Sequence, residues 1–366
     1  MQLTKGAIGN LINRYKAVLK KCHLMNTFGS LVMGGAGVAV AADDLPLEGE
    51  HTYDSEKNPN VNHLMGGWLV KDAATAGDAK GDITLTVNGG TISEIIGGSY
   101  AKNVNGNNVT VTHGDITTTI GDKTTSAEFV VGGSKVAGGA GANLETGKTT
   151  LTITGGTFGT QKTDDYELVM GGNYAKTAGS NPLTATTEGS SVTVKGGTFH
   201  ASVVGGSVAH NYSINGSIAV TDNGNTSVTI TGGTFNPSKS DRDDANGGIN
   251  LSAAVIGGGL AYSKNGSKAI ASVETASTTI KGGTINGDVY AGGMADGAGA
   301  QANVTTANLT IKGGTINGNV YAGGYALNGG TADVTTAIIT LDGTGAKVNG
   351  DFEGNKTSTL TFNNYD

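Results

Sequence analysis

The sequence predicts an all-β protein, a parallel β-helix (solenoid) of about eight rungs with Gly-Gly corners, and three observations predict it. Glycine supplies 63 of the 366 residues while aromatics supply 5%, and the usual glycine share is about 7%. The motif Gly-Gly-Thr followed by Ile or Phe recurs from Gly89, Gly155, Gly196, Gly232, Gly282 and Gly313. Each copy follows a segment in which aliphatic residues alternate with threonine, the period of a strand with one buried face. Collagen is excluded, because there are only four prolines and glycine does not fall at every third position.

Taken from the N-terminus, residues 1–42 read as a signal peptide with an extended n-region. They hold no acidic residue and five basic ones, Lys5, Arg14, Lys16, Lys20 and Lys21. An apolar, small-residue stretch from Phe28 to Ala42 follows, ending Ala39-Val40-Ala41-Ala42 before Asp43-Asp44. This is the order of a secretory leader, cut after Ala41 or Ala42. The apolar run is too short and too rich in glycine for a stable membrane span. Of the 23 basic and 30 acidic residues, cleavage leaves 18 basic against 30 acidic, a formal charge of −12. That balance argues against nucleic acid as a partner. Cleavage also removes Cys22, the single cysteine, so the mature chain is expected to form no disulfide.

Residues 43–80 read as an N-terminal cap and first half-rung, in which Leu64-Met65-Gly66-Gly67-Trp68 is the half-unit. Residues 81–366 read as the repeats, with a C-terminal cap or truncated end. Eight strand segments carry the alternation: Thr84–Val87, Val109–Val111, Leu151–Ile153, Val192–Val194, Val228–Ile230, Thr278–Ile280, Leu309–Ile311 and Ile339–Leu341. Two units have degenerate turns, His113-Gly114-Asp115-Ile116 and Gly343-Thr344-Gly345. The aliphatic residues are expected to point inward and the intervening threonine outward. A second strand ends in another glycine pair, as in Ile95-Ile96-Gly97-Gly98 and Val203-Val204-Gly205-Gly206. Glycine suits corners that need positive φ and no side chain. One unit cannot bury its own apolar face, and stacking identical units does so.

Three units are longer between their glycine pairs: His113 to Gly132, Gly155 to Gly171, and Gly232 to Gly257. Loops on one side of a solenoid are frequent contact surfaces. Lys162, Asp164, Asp165, Lys239, Asp241, Arg242, Asp243 and Asp244 are therefore the candidate partner-contact residues. Chemistry is otherwise sparse. Asp164-Asp165 and Asp243-Asp244 are sequence neighbours, which a strand would point to opposite faces. His51, His63, His200 and His210 show no metal-ligand spacing, and His113 reads as a variant of a turn glycine. No catalytic residue, metal or cofactor is expected. The outward threonine column could order water only beside a second matched rank. The next outward position (Asn88, Thr112, Thr154, Lys195 and onward) does not supply one.

The leader segment Asn13-Arg14-Tyr15-Lys16-Ala17-Val18-Leu19, the apolar stretch Phe28 to Ala42 and the cysteine-free threonine- and glycine-rich repeats together resemble the passenger region of a Gram-negative autotransporter (type V secretion). The resemblance implies Sec export, periplasmic transit, and display at the cell surface or release as an adhesin. Its partners would be a host or cell-surface ligand and an outer-membrane barrel. The family's C-terminal translocator barrel is expected to be lacking, because the rung-like stretch Ser358 to Phe362 leads into Asn363-Asn364-Tyr365-Asp366 and a barrel needs many ten-residue strands. Three expectations follow: a separately encoded barrel, a periplasmic location, or a truncated and non-functional passenger fragment. The leading expectation for function is an exported structural and adhesive module without catalysis. The alternative is a polysaccharide-active β-helix enzyme, which would bring carboxylates together in one groove.

Overall fold

The structure, a computed structural model, describes residues 44–46, 50–53, 60–67, 69–71, 81–102, 109–138, 142–159, 167–177, 179–180, 182–237, 253–354 and 357–363. All lie in the compact unit Ala41–Asp366. The leader expected over 1–42 lies outside them.

Every strand pairing among the described residues is parallel, and strands inside the stack pair with their counterparts one repeat earlier and one repeat later. The chain is thus a parallel β-helix. One rung shows the plan. Ser190–Val194 lies on the threonine face, and Thr198–Phe199 on a short face. Ser202–Val204 forms an aliphatic face and Val208–Asn211 a middle layer. Ile218–Asp222 forms a flank face, which bends into the next threonine-face strand, Thr226–Ile230.

The alternation places the side chains. In Ile83–Val87 the inward residues are buried and the threonines partly exposed. Leu85, Val87, Ile92 and Ile95 begin a core between the threonine, short and aliphatic faces that continues to Leu309, Ile311 and Ile316. The middle layer is covered on both sides: Val208–Asn211 and Leu260–Ser263 are buried throughout. One side meets the back of the aliphatic face at Ile96, Met170, Val204 and Ile256. The other side presents Ala175, Ala209 and Ala261 to Leu144, Ala185 and Val220 of the flank face.

The two kinds of glycine pair do different work. At the threonine-to-short corner the second glycine has positive φ, +107° at Gly156 and +110° at Gly197, which disfavours a side chain. The pair after the aliphatic face is absent from the positive-φ set. There glycine is needed for close approach. A Cβ on Gly205 would lie 2.2 Å from the Gly257 carbonyl oxygen, and one on Gly257 would lie 2.5 Å from that of Ala291. The expectation of positive φ at both corners therefore holds at one of them.

The second unit is also in a different register. Val109–His113 is a flank strand paired with Ala142–Thr146. The threonine-face strand is Ile116–Ile120, paired with Ile83–Val87 and Thr149–Ile153. Both segments alternate β-branched residues, so the alternation alone does not separate them. The bend chemistry does: the Gly114 N–H donates to the Gly81 carbonyl and the Gly147 N–H to that of Gly114, both at 3.1 Å. His113-Gly114-Asp115 is that bend, and Gly121-Asp122-Lys123-Thr124 is the true turn, with Thr124 paired to Gly90. The stretch from His113 to Gly132 is thus no insertion. The other two longer stretches both open between the short and aliphatic faces, after Phe158 and after Phe235.

Strands Glu50–Tyr53 and Ser358–Asn363 also stack on the threonine face, giving ten strands there among the described residues where eight were expected. These end strands lack the Gly-Gly-Thr turn that follows six of the other eight. Asn60–Met65 pairs with the strand Gly90–Ile96, bringing Leu64 beside Ile95.

Candidate binding groove

Two consecutive outward residues break the alternation where flank face passes into threonine face. Glu274 and Thr275 separate the buried residues Val273 and Ala276 in one rung, and Thr305 and Thr306 separate Val304 and Ala307 in the next. The resulting bend is concave towards solvent. It forms a groove of about 360 Å3 lined by Thr221, Asp222, Asn223, Ser272, Val273, Glu274, Asn303 and Thr305. Thr221, Ser272 and Asn303 are direct register partners in successive rungs, so their side chains repeat at about 4.8 Å along the axis.

The floor of this groove is the end of an interior polar spine. The Ser99 N–H donates to Ser134 Oγ at 3.2 Å, the Ser134 N–H to Asn173 Oδ1 at 2.8 Å, and the Asn173 N–H to Ser207 Oγ at 2.9 Å. The chain of bonds ends on Asp222. Its Oδ2 accepts the Ser207 N–H, and its Oδ1 accepts the hydroxyls of Ser207 and Thr187, each at 2.8 Å. Burial pushes the Asp222 carboxyl above the ordinary carboxylate range, and the Ser207 and Thr187 hydrogen bonds pull it part of the way back. Beyond Asp222 the same inward register position is Val273, then Val304, then Val334. The facing residues Ser99, Ser134, Asn173 and Ser207 give way to Gly259, Gly293 and Gly324. Polar partners are replaced on both sides together, which avoids leaving either partner buried and unpaired.

Two further charged and aromatic clusters face inward. Lys135 Nζ lies 2.5 Å from Glu94 Oε1, with both side chains about 6% exposed, and His63 Nε2 lies 3.3 Å from Glu94 Oε2. The rings of Tyr100, Phe129 and Tyr174 surround the ammonium. His210 is enclosed against Tyr174, whose hydroxyl lies 2.8 Å from its Nδ1. Burial, then the nearby Lys176 charge, holds this histidine well below its usual pKa and therefore neutral. His113, expected in a turn, occupies the inward spine position matched to Thr146, with its Nε2 2.7 Å from Ser99 Oγ. Among the described residues no three His, Cys, Asp or Glu side chains gather as a metal site would require.

The threonine column runs unbroken through Thr52, Thr86, Thr119, Thr152, Thr193, Thr229, Thr279, Thr310, Thr340 and Thr361. The rank beside it lies two residues earlier in each strand, where Thr84, Thr117 and Thr150 are followed by Ser191, Ser227, Ser277, Asn308 and Ile338. Paired threonines thus span three successive rungs, roughly 10 Å at the parallel spacing.

The eight candidate contact residues, Lys162, Asp164, Asp165, Lys239, Asp241, Arg242, Asp243 and Asp244, lie outside the described residues. None of the outward groove residues was among the sequence candidates. Their signal is the doubled polar pair inside an otherwise alternating strand, which a search anchored on glycine pairs passes over. No known family model, curated protein or solved structure matches this chain.

Proposed function

We propose that this chain is an exported structural and adhesive module of the cell surface or extracellular space, similar in kind to an autotransporter passenger. The observation that supports this most is the architecture. A continuous parallel solenoid holds a polar concave groove in fixed register on a scaffold of paired strands, and a site built on regular elements keeps its geometry. The basic, then apolar, then small-residue order of residues 1–42 supports export. The groove lining holds no basic residue, and of its two carboxylates only Glu274 is exposed while Asp222 is buried and bonded to Ser207 and Thr187, a set better suited to binding than to glycosidic cleavage by paired carboxylates.

Two measurements test the proposal. Expressed in a Gram-negative host, the chain should be found outside the cytoplasm with its N-terminus at Ala42 or Asp43. Beads coated with the exported chain should adhere to cell surfaces more than albumin-coated beads. An unprocessed cytoplasmic chain, or equal adherence of the two bead types, would overturn it.

A further inference from the structure

We propose that the groove over Thr221, Ser272 and Asn303 binds a neutral glycan, an uncharged polyhydroxylated chain lying along the solenoid axis. This names the ligand class of the adhesive module and rests on that reading.

The first support is unspent hydrogen-bonding capacity. The side chains of Thr221, Asn223, Ser272, Glu274, Asn303 and Thr305 make no hydrogen bond to any described residue. Another outward polar rank behaves differently. Asn286, Asn317 and Asn349 donate in turn to the side-chain oxygens of Asn236, Asn286 and Asn317, each at 2.6 Å, so that ladder satisfies itself. The groove set is therefore left open to an outside partner.

The second support is the kind of capacity. Serine and threonine hydroxyls both donate and accept, asparagine amides do the same, and a carboxylate only accepts. A sugar presents neighbouring hydroxyls that likewise donate and accept, so each can meet a different member of the set. An anionic polymer would meet the Glu274 carboxylate and no lysine or arginine in the lining. A cationic peptide would find a single exposed carboxylate. Val273 lines the floor but faces inward at 4% exposure, so sugar C–H groups meet little apolar surface, and no aromatic ring stands in the lining to stack on one. Binding per sugar is therefore weak, and the register repeat supplies strength by extending the same contacts from rung to rung. On the preceding rung the register partner of Thr221 is Thr186, whose hydroxyl donates to the Leu144 carbonyl at 3.3 Å, so the open set is confined to the three rungs of the lining.

The test presents the full exported chain to an array of neutral gluco-, manno-, galacto- and xylo-oligosaccharides, with sialylated, uronic-acid and sulfated glycans and polylysine as contrasts. At least one neutral series should be retained. The double variant Glu274→Ala/Asn303→Ala should lose that retention tenfold or more, with unchanged thermal melting, while Asn317→Ala on the self-satisfied ladder should keep it. Retention of no neutral glycan, a preference for anionic glycans or polylysine, or equal retention by the double variant would overturn the proposal. Adherence of coated beads without glycan binding would discard the ligand class and leave the adhesive module standing. Failure of both assays would discard both.

Discussion

At the scale of single residues, the solenoid shows what each inward position tolerates. Thr278 sits where neighbouring rungs place Val228 and Leu309, and its buried hydroxyl has no hydrogen-bond partner. Thr278→Val keeps the shape and removes the unsatisfied group, so it should stabilise the protein by about 1 kcal/mol, read as a raised urea midpoint. Gly205→Ala should do the reverse, at a cost of about 3 kcal/mol, because the new methyl meets the Gly257 carbonyl and the stacked rungs leave it no room. A denaturation curve matching wild type would show that this corner can relax. Asp222 carries a pH signature. Its folded pKa is raised from an ordinary value of 3.8, so the ionised form weakens the folded state. That penalty is complete above the raised folded value and is relieved as pH falls through it towards the unfolded one. Asp222→Asn keeps an acceptor for the Ser207 N–H and offers its amide to the two hydroxyls. Its melting temperature relative to wild type should be highest near neutrality and should decline towards pH 4. A constant difference across that range would show that Asp222 does not titrate there.

At the scale of elements, ladders between like residues hold successive rungs in register. Phe158, Phe199 and Phe235 stack on the short face with ring centroids 5.0 and 4.7 Å apart, and all three are fully buried. Phe199→Ala removes the middle ring and should cost about 3–5 kcal/mol, with hydrogen-exchange protection falling first at Thr198 and Thr234, its backbone neighbours in this column. Loss spread evenly over the solenoid would contradict a local role for the stack. Element type was legible in the sequence because the period of two survives in every rung. Register was legible only where Gly-Gly-Thr punctuates it. At His113-Gly114-Asp115 a bend glycine imitates a turn glycine, and Thr118, inward where its neighbours are Leu85 and Leu151, disguises the true strand as a polar run. The groove escaped notice for a related reason. Its residues lie on adjacent rungs, as far apart in the chain as Asn223 and Glu274, and only the register brings them to one surface.

For the molecule as a whole, closure matters most at the ends. Ser358–Asn363 covers the edge formed by Ala337–Asp342, and its inward residues Leu360 and Phe362 remain 42% and 56% exposed. Deleting residues 349–366 would bare Ile339 and Leu341, whose register partners these are, on an unpaired edge that invites association. The shortened chain should show lower solubility and a larger light-scattering mass than the full chain, and an unchanged mass would count against a capping role. The interior spine divides the stack in a way that temperature should reveal. Along the interior spine, directional side-chain bonds join the flank face to the middle layer up to Asp222, whereas at Val273, Val304 and Val334 aliphatic contact takes their place, and its driving force fades in the cold. Chilling should therefore loosen the C-terminal coils ahead of the N-terminal ones, so that this single rod carries a winter end and a summer end.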